Sequence, residues 1–174
     1  YIQGKQVLHD FNLKVKAGQK VALVGSTGSG KTTVVNLLMR FYDIDNGSIT
    51  IDGVNIKDID CENLRKNTAI VLQDTVLFAD TVKNNLLYSR QDATDTEIIA
   101  AAKKANCHNM IMHLPDGYDS MLAKDGQNLS QGQRQLLSIA RAFVASPKIL
   151  ILDEATSSVD KKKKKKIQDA VTNL

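Results

Sequence analysis

Eight consecutive residues carry the most specific chemical signal in the chain: Gly25-Ser26-Thr27-Gly28-Ser29-Gly30-Lys31-Thr32. They fit G-x-x-x-x-G-K-[ST], a pattern that cradles nucleotide phosphates. Glycines at 25, 28 and 30 let the backbone curl so that N–H groups point inward at phosphate oxygens. The residues between and after them, Ser26, Thr27, Ser29 and Thr33, extend that run of donors. Lys31 adds a point charge for the β- and γ-phosphates, and the Thr32 hydroxyl suits Mg²⁺. An apolar run, Val21 to Val24, precedes the loop and a predicted helix over 32–40 follows it, which adds the positive end of a helix dipole. An empty glycine-rich turn does not explain four fixed positions in that context.

Two further clusters bear on the same chemistry. Ile149-Leu150-Ile151-Leu152 reads as a buried strand ending in Asp153 and Glu154. Carboxylates at the C-terminal edge of such a strand lie beside the crevice where open α/β sheets bind ligands. Asp153 would face the Mg²⁺, and Glu154 would polarise the attacking water near the γ-phosphate. Upstream, Leu129-Ser130-Gln131-Gly132-Gln133 opens a helix. Ser130 and Gln133 form a capping box, and Gly132 with free backbone N–H groups makes a second anion-seeking helix start. Alone, this would be an ordinary capped helix.

The elements that must position these residues alternate between short strands and helices. Phe11, Leu13 and Val15 alternate with polar residues and predict a strand, as do 21–24, 48–51, 68–72 and 149–152. Asp52-Gly53 is a hairpin signal. Helices are expected over 81–88, from about Asp95 to Asn106 behind a Thr94–Glu97 capping box, from Ser130 to about Ser146, and at the amphipathic Ile167, Ala170, Val171, Leu174. Strands alternating with helices indicate an α/β fold with a mainly parallel sheet.

Composition narrows the class further. The chain has 174 residues, 43% hydrophobic and 24% charged, which suits one globular domain. Cys61 and Cys107 are no disulfide framework. No apolar run reaches the length of a membrane span. The formal charge of +4 falls to −2 without the six lysines at 161–166, so the basic balance belongs to one hexapeptide. That run reads as a solvated helix face, with a basic patch for lipid or nucleic acid as the alternative.

Taken together, the phosphate loop, Leu129 to Gln133 and the acidic strand end resemble the nucleotide-binding domain of ATP-binding cassette (ABC) transporters over essentially the whole chain. The resemblance implies an α/β fold with a P-loop NTPase (RecA-like) core, an N-terminal antiparallel β subdomain and an inserted α-helical subdomain at about 80–140. It makes Tyr1 the aromatic residue that stacks on adenine. Gln73 becomes the glutamine that touches metal and attacking water, and Asp160 in Ser157-Ser158-Val159-Asp160 belongs to the loop at the dimer interface. Ser130, Gly132 and Gln133 become the signature that contacts ATP held by a second such domain. The stretches Leu37 to Asp43 and Asp153 to Ser157 resemble the exporter branch.

The chain departs from the family at three points. Gln131 stands where glycine is usual, and lysines replace the mixed polar residues after Asp160. The switch histidine has no counterpart, since His9, His108 and His113 all lie upstream of its place. The expectation is a single domain, 1–174, truncated at both ends. It would bind ATP and Mg²⁺, pair with a second nucleotide-binding domain and work at the cytoplasmic face of a membrane with the transmembrane domain of an exporter. Asp74 to Asn85 would meet that domain, and no nucleic acid is expected. A soluble ABC-type ATPase of DNA repair or translation is the alternative.

Overall fold

A computed structural model of the chain describes residues 7–72 and 75–153. The chain divides into two compact units, 1–64 and 65–174. The first unit is organised around helix α1, Lys31–Leu38, and a β-hairpin. In the hairpin β1, Thr50–Ile51, pairs antiparallel with β2, Val54–Asn55. Asp52 and Gly53 between them both take positive φ, 49° and 84°, as the two central residues of the expected tight turn require. Arg40 then holds the hairpin's far side. Its guanidinium donates to the carbonyls of Ile56 and Ile59 at 2.9 and 2.8 Å. Met39, Ile56 and Leu64 are the buried apolar residues of this unit.

The expected strands at 11–15 and 21–24 do not form among the described residues. Phe11, Leu13 and Val15 keep their alternation but remain half exposed, and Val24 is 93% exposed. A strand satisfies its backbone only through a neighbour. Neither segment has a ladder partner among the described residues, where the antiparallel β structure of the first unit is the hairpin at 50–55.

The second unit is richer. Helix α2, Cys61–Lys66, leads into it across the boundary between the two units. Strand β3, Thr68–Val71, pairs in parallel with β4, Ile149–Leu152, in the register Thr68↔Ile149 to Val71↔Leu152. Between them run helices α3, Val82–Leu87; α4, Asp95–Lys104; α5, His108–Met112; and α6, Gln131–Val144. Hydroxyl caps start three of these helices: Thr81 accepts from Asn84, Thr94 from Glu97 and Ser130 from Gln133. At Thr94 and Ser130 the capping box is reciprocal, as their sequences predict.

Helix α6 is the spine of this unit. It packs on α3, α4 and β3. Its buried face includes Leu136, Leu137, Ile139, Ala140 and Val144. The core continues through Val71, Leu77, Val82, Leu86, Ile98 and Ile111. Each large aliphatic side chain removed from water contributes about 1.5–3 kcal/mol. Helices α2 and α5, six and five residues long, are not among those expected from the sequence.

Candidate nucleotide-binding site

The loop ahead of α1 has the backbone of a phosphate cradle. The Ser29 N–H donates to the Ser26 carbonyl at 3.1 Å and closes a tight turn. Gly28 and Gly30 lie at φ 83° and 90°, a region that residues with a Cβ rarely enter. At Gly25 a Cβ would come within 2.5 Å of the Ser29 hydroxyl. Gly30 is the N-cap of α1 and offers no side chain to its first turn, unlike Thr81, Thr94 and Ser130 at their helices. The first-turn N–H groups of an α-helix have no intrahelical partner. Those of Lys31, Thr32 and Thr33, with no side-chain cap, suit an anion.

Lys31 folds back over the loop. Its ammonium donates to the Gly25 carbonyl at 2.9 Å and the Ser26 carbonyl at 3.0 Å. An ammonium has three N–H donors, so the same posture that ties the loop can add a phosphate oxygen. Thr32 is exposed, with its side chain on the first turn beside this group. Ser26, Thr27 and Ser29 are exposed loop residues around it. The residues from Gly25 to Thr33 thus lie in one continuous stretch of the first unit, a candidate site for phosphate.

In the second unit the parallel pair ends at Asp153. Its N–H donates to the Val71 carbonyl at 2.9 Å, so the ladder runs on to the carboxylate, which is half-buried. Ser130, at the start of α6, is exposed, and Gly132 is buried. The Gln133 side-chain oxygen accepts from the Ser130 N–H at 2.8 Å. It serves the helix start, which is the local role its spacing from Ser130 predicts. Tyr1, Gln73, Glu154 and Asp160 lie outside the described residues, as do the lysine run and the expected last helix.

His108 and His113 have local partners. Nδ1 of His108 lies 3.0 Å from the Tyr118 hydroxyl, and Nδ1 of His113 contacts the Asn109 carbonyl at 2.5 Å. Burial pushes the Tyr118 phenol up to about 12, so it remains a donor at neutral pH.

Sequence reasoning missed one node. Arg141, in the last turn of α6, donates from Nε to the Asn85 carbonyl at 2.8 Å, from Nη2 to the Asn85 side-chain oxygen at 2.8 Å, and from Nη1 to the Val76 carbonyl at 2.9 Å. It also lies over the rings of Phe78 and Tyr88. Desolvation pulls its pKa below the ordinary arginine value, opposed by Tyr88. The only signal available beforehand was an arginine inside the apolar stretch Ala140 to Val144.

Next to this node is a cleft of about 400 Å³, lined among others by Arg65, Leu72, Val76, Tyr88 and Ala142. Val76 and Tyr88 are 55% and 65% exposed. No helix among the described residues is long and apolar enough to cross a membrane.

Residues 8–157 match the family model described as ABC transporter. The chain is 52% identical over 174 residues to the uncharacterized ABC transporter ATP-binding protein YfiC of Bacillus subtilis strain 168, covering all of this chain and 29% of that one. It is 52% identical over 168 residues to a Staphylococcus aureus protein (strain NCTC 8325 / PS 47) provisionally named a multidrug export ATP-binding/permease protein, again covering 29% of it. Among solved structures it is similar to a bacterial Atm1-family ABC exporter with ATP bound, at a TM-score of 0.91 and 41% identity, over 99% of this chain and 30% of that one. The chain therefore spans under a third of the length of these relatives.

Proposed function

Because the chain belongs to the ABC transporter family, we propose that it is the ATP-hydrolysing part of an exporter, in which ATP draws two such domains together and hydrolysis lets them part. The observation that carries this reading is the loop at 25–32, whose two left-handed glycines and uncapped helix start suit phosphate, with Lys31 poised over it. The fold is that of the P-loop NTPases. We assign the core, the short β region and the helices between about 80 and 140 to the family's three subdomains.

The residues fit their cargo. Backbone N–H groups from Ser26 to Thr33, with Lys31, hold the phosphates, and Tyr1 stacks on the adenine. Thr32, Asp153 and Gln73 would hold a magnesium ion, which supplies positive charge against the phosphate oxygens. Glu154 accepts a proton from the attacking water as Gln73 orients it. Ser130 and Gly132 of one domain, with Gln133 supporting Ser130, meet the γ-phosphate held by the other, and Asp160 lies at that interface. Such a site is completed only by a second copy or a paralogous chain.

The segment from Asp74 to Asn85 meets the transmembrane domain of the same transporter, which puts this chain at the cytoplasmic face of a membrane. Exposed Val76 beside the cleft supports that contact. The likeness to exporters does not favour a soluble ATPase of DNA repair or translation. It also gives no reason to expect nucleic acid.

Two substitutions test the reading. Lys31→Ala removes a cation that meets two phosphates and is expected to cost about 2–5 kcal/mol of ATP binding, by analogy with desolvated charge pairs. An unchanged affinity in a nucleotide titration would sink the assignment of the loop. Glu154→Gln keeps the shape of the side chain but not its basicity, so ATP should bind, hydrolysis should stop and ATP-bound dimers should accumulate on size exclusion. Near-normal hydrolysis would remove Glu154 from the role of base.

A further inference from the structure

Arg141 is a half-buried cation whose hydrogen-bond partners, among the described residues, are neutral oxygens of Asn85 and Val76. Taking a charge out of water is costly, and neutral residues packed in its place often serve stability as well. What they do not supply is the planar fork, which fixes direction at several acceptors at once.

The bonding runs both ways. The Ser89 hydroxyl donates to the Arg141 carbonyl at 2.7 Å. The Asn85 side chain, 2% exposed, accepts from the Phe78 N–H at 2.9 Å and donates to the Phe78 and Thr81 carbonyls at 3.0 Å each. The last turn of α6 is thereby clamped to residues 76–89. The other end of α6 is Ser130. An uninterrupted helix of this length is a rod of about 20 Å. A rod held by directed bonds at one end has its other end aimed by the same bonds.

We propose that Arg141 is a positioning residue for ATP hydrolysis, acting through α6 to aim Ser130 at the nucleotide of the opposing domain. This rests on the role given to Ser130 under Proposed function. Arg141 acts through these protein partners and not on the nucleotide itself. ATP is first captured by the residues of its own domain, chiefly the loop at 25–32, and Ser130 meets the γ-phosphate only once two domains have paired, so loss of the fork should slow turnover far more than it weakens capture. Misplacing a reacting group by about 1 Å can cost up to 10²-fold in rate.

The test is steady-state ATPase kinetics of the intact protein that carries this chain, in lipid vesicles, with rates expressed per folded molecule. Arg141→Lys keeps the charge and loses the fork. Its kcat should fall about 10-fold or more, within that range, with KM for ATP nearly unchanged. Asn85→Ala removes both the side-chain oxygen that Arg141 grips and the amide donors to Phe78 and Thr81. It should lower kcat in the same way, and it decides alone if Arg141→Lys does not fold. A lower melting temperature with wild-type kcat per folded molecule, in whichever variants fold, would reduce the node to a structural brace and overturn the proposal. Lys31→Ala, run alongside, separates the two levels. If it hydrolyses ATP normally, the nucleotide reading falls and the proposal with it. If it is inactive while Arg141→Lys turns over at the wild-type rate, only the positioning role falls.

Discussion

Gly30 sits at φ 90° with its backbone beside the Leu8 and Val7 side chains, and a Cβ there would lie 2.8 Å from the Leu8 methyl. Left-handed backbone costs about 1–2 kcal/mol in a residue other than glycine. Gly30→Ala should therefore lose about that much stability, read by urea denaturation, unless the loop relaxes. Relaxation would show instead as weaker ATP binding. The cysteines offer a second check on individual side chains. Burial pushes the Cys107 thiol up to about 12, and its hydrogen bond runs to the Ala102 carbonyl. The thiolate is the reactive form, so an alkylating reagent at pH 8 should modify the half-buried Cys61 and leave Cys107 untouched until the protein unfolds. Equal labelling in the native state would contradict the packing around α4 and α5.

At the level of elements, the capping boxes fix where two helices begin. Glu97 accepts from the Thr94 N–H and hydroxyl, and Arg90 pairs with it. Those bonds, Thr94 first, lower its pKa from 4.5 to about 2. The folded value lies below the unfolded one, so the stabilisation is present above about pH 4.5 and is lost as pH falls toward 2. Glu97→Gln should thus destabilise the protein at pH 7 and much less at pH 2. Thermal melts at the two values check the difference. Helix α6 permits a cleaner separation. Replacing an N-cap serine by glycine costs only a few tenths of a kcal/mol, against about 1 kcal/mol for alanine. Ser130→Gly should hence melt almost like the wild type while its hydrolysis falls. Unchanged hydrolysis would make Ser130 a cap and nothing more.

At the level of the molecule, the core of the second unit gathers around one helix. Leu137 of α6 is 1% exposed and belongs to the same cluster as Leu86 of α3 and Ile98 of α4. Leu137→Ala should cost about 2–5 kcal/mol through lost burial and the cavity left behind. A loss well under 1 kcal/mol in chemical denaturation would mean that α6 is not the spine described. The two units differ in kind. The second closes over a continuous apolar core, whereas the first, among its described residues, buries Met39, Ile56 and Leu64 and leaves Phe11, Leu13 and Val15 half exposed.

The turn of the glycine loop at 25–30, the Thr94 and Ser130 caps and the Asp52-Gly53 turn were determined by the sequence alone. Their physics is local: each needs only residues within one turn of chain to set its dihedral angles and satisfy its own donors. The strands of the second unit and its helices α3, α4 and α6 were nearly as legible, because apolar periodicity and capping are local too. What tertiary structure decided is everything that needs a distant partner. Val71 finds Leu152, and Asn85 finds Arg141, 56 residues away, only once the helices between them have packed. Residues 11–15 carry a strand's pattern without a strand's pairing, since alternation specifies which face an element would bury and not whether a neighbouring backbone supplies the hydrogen bonds.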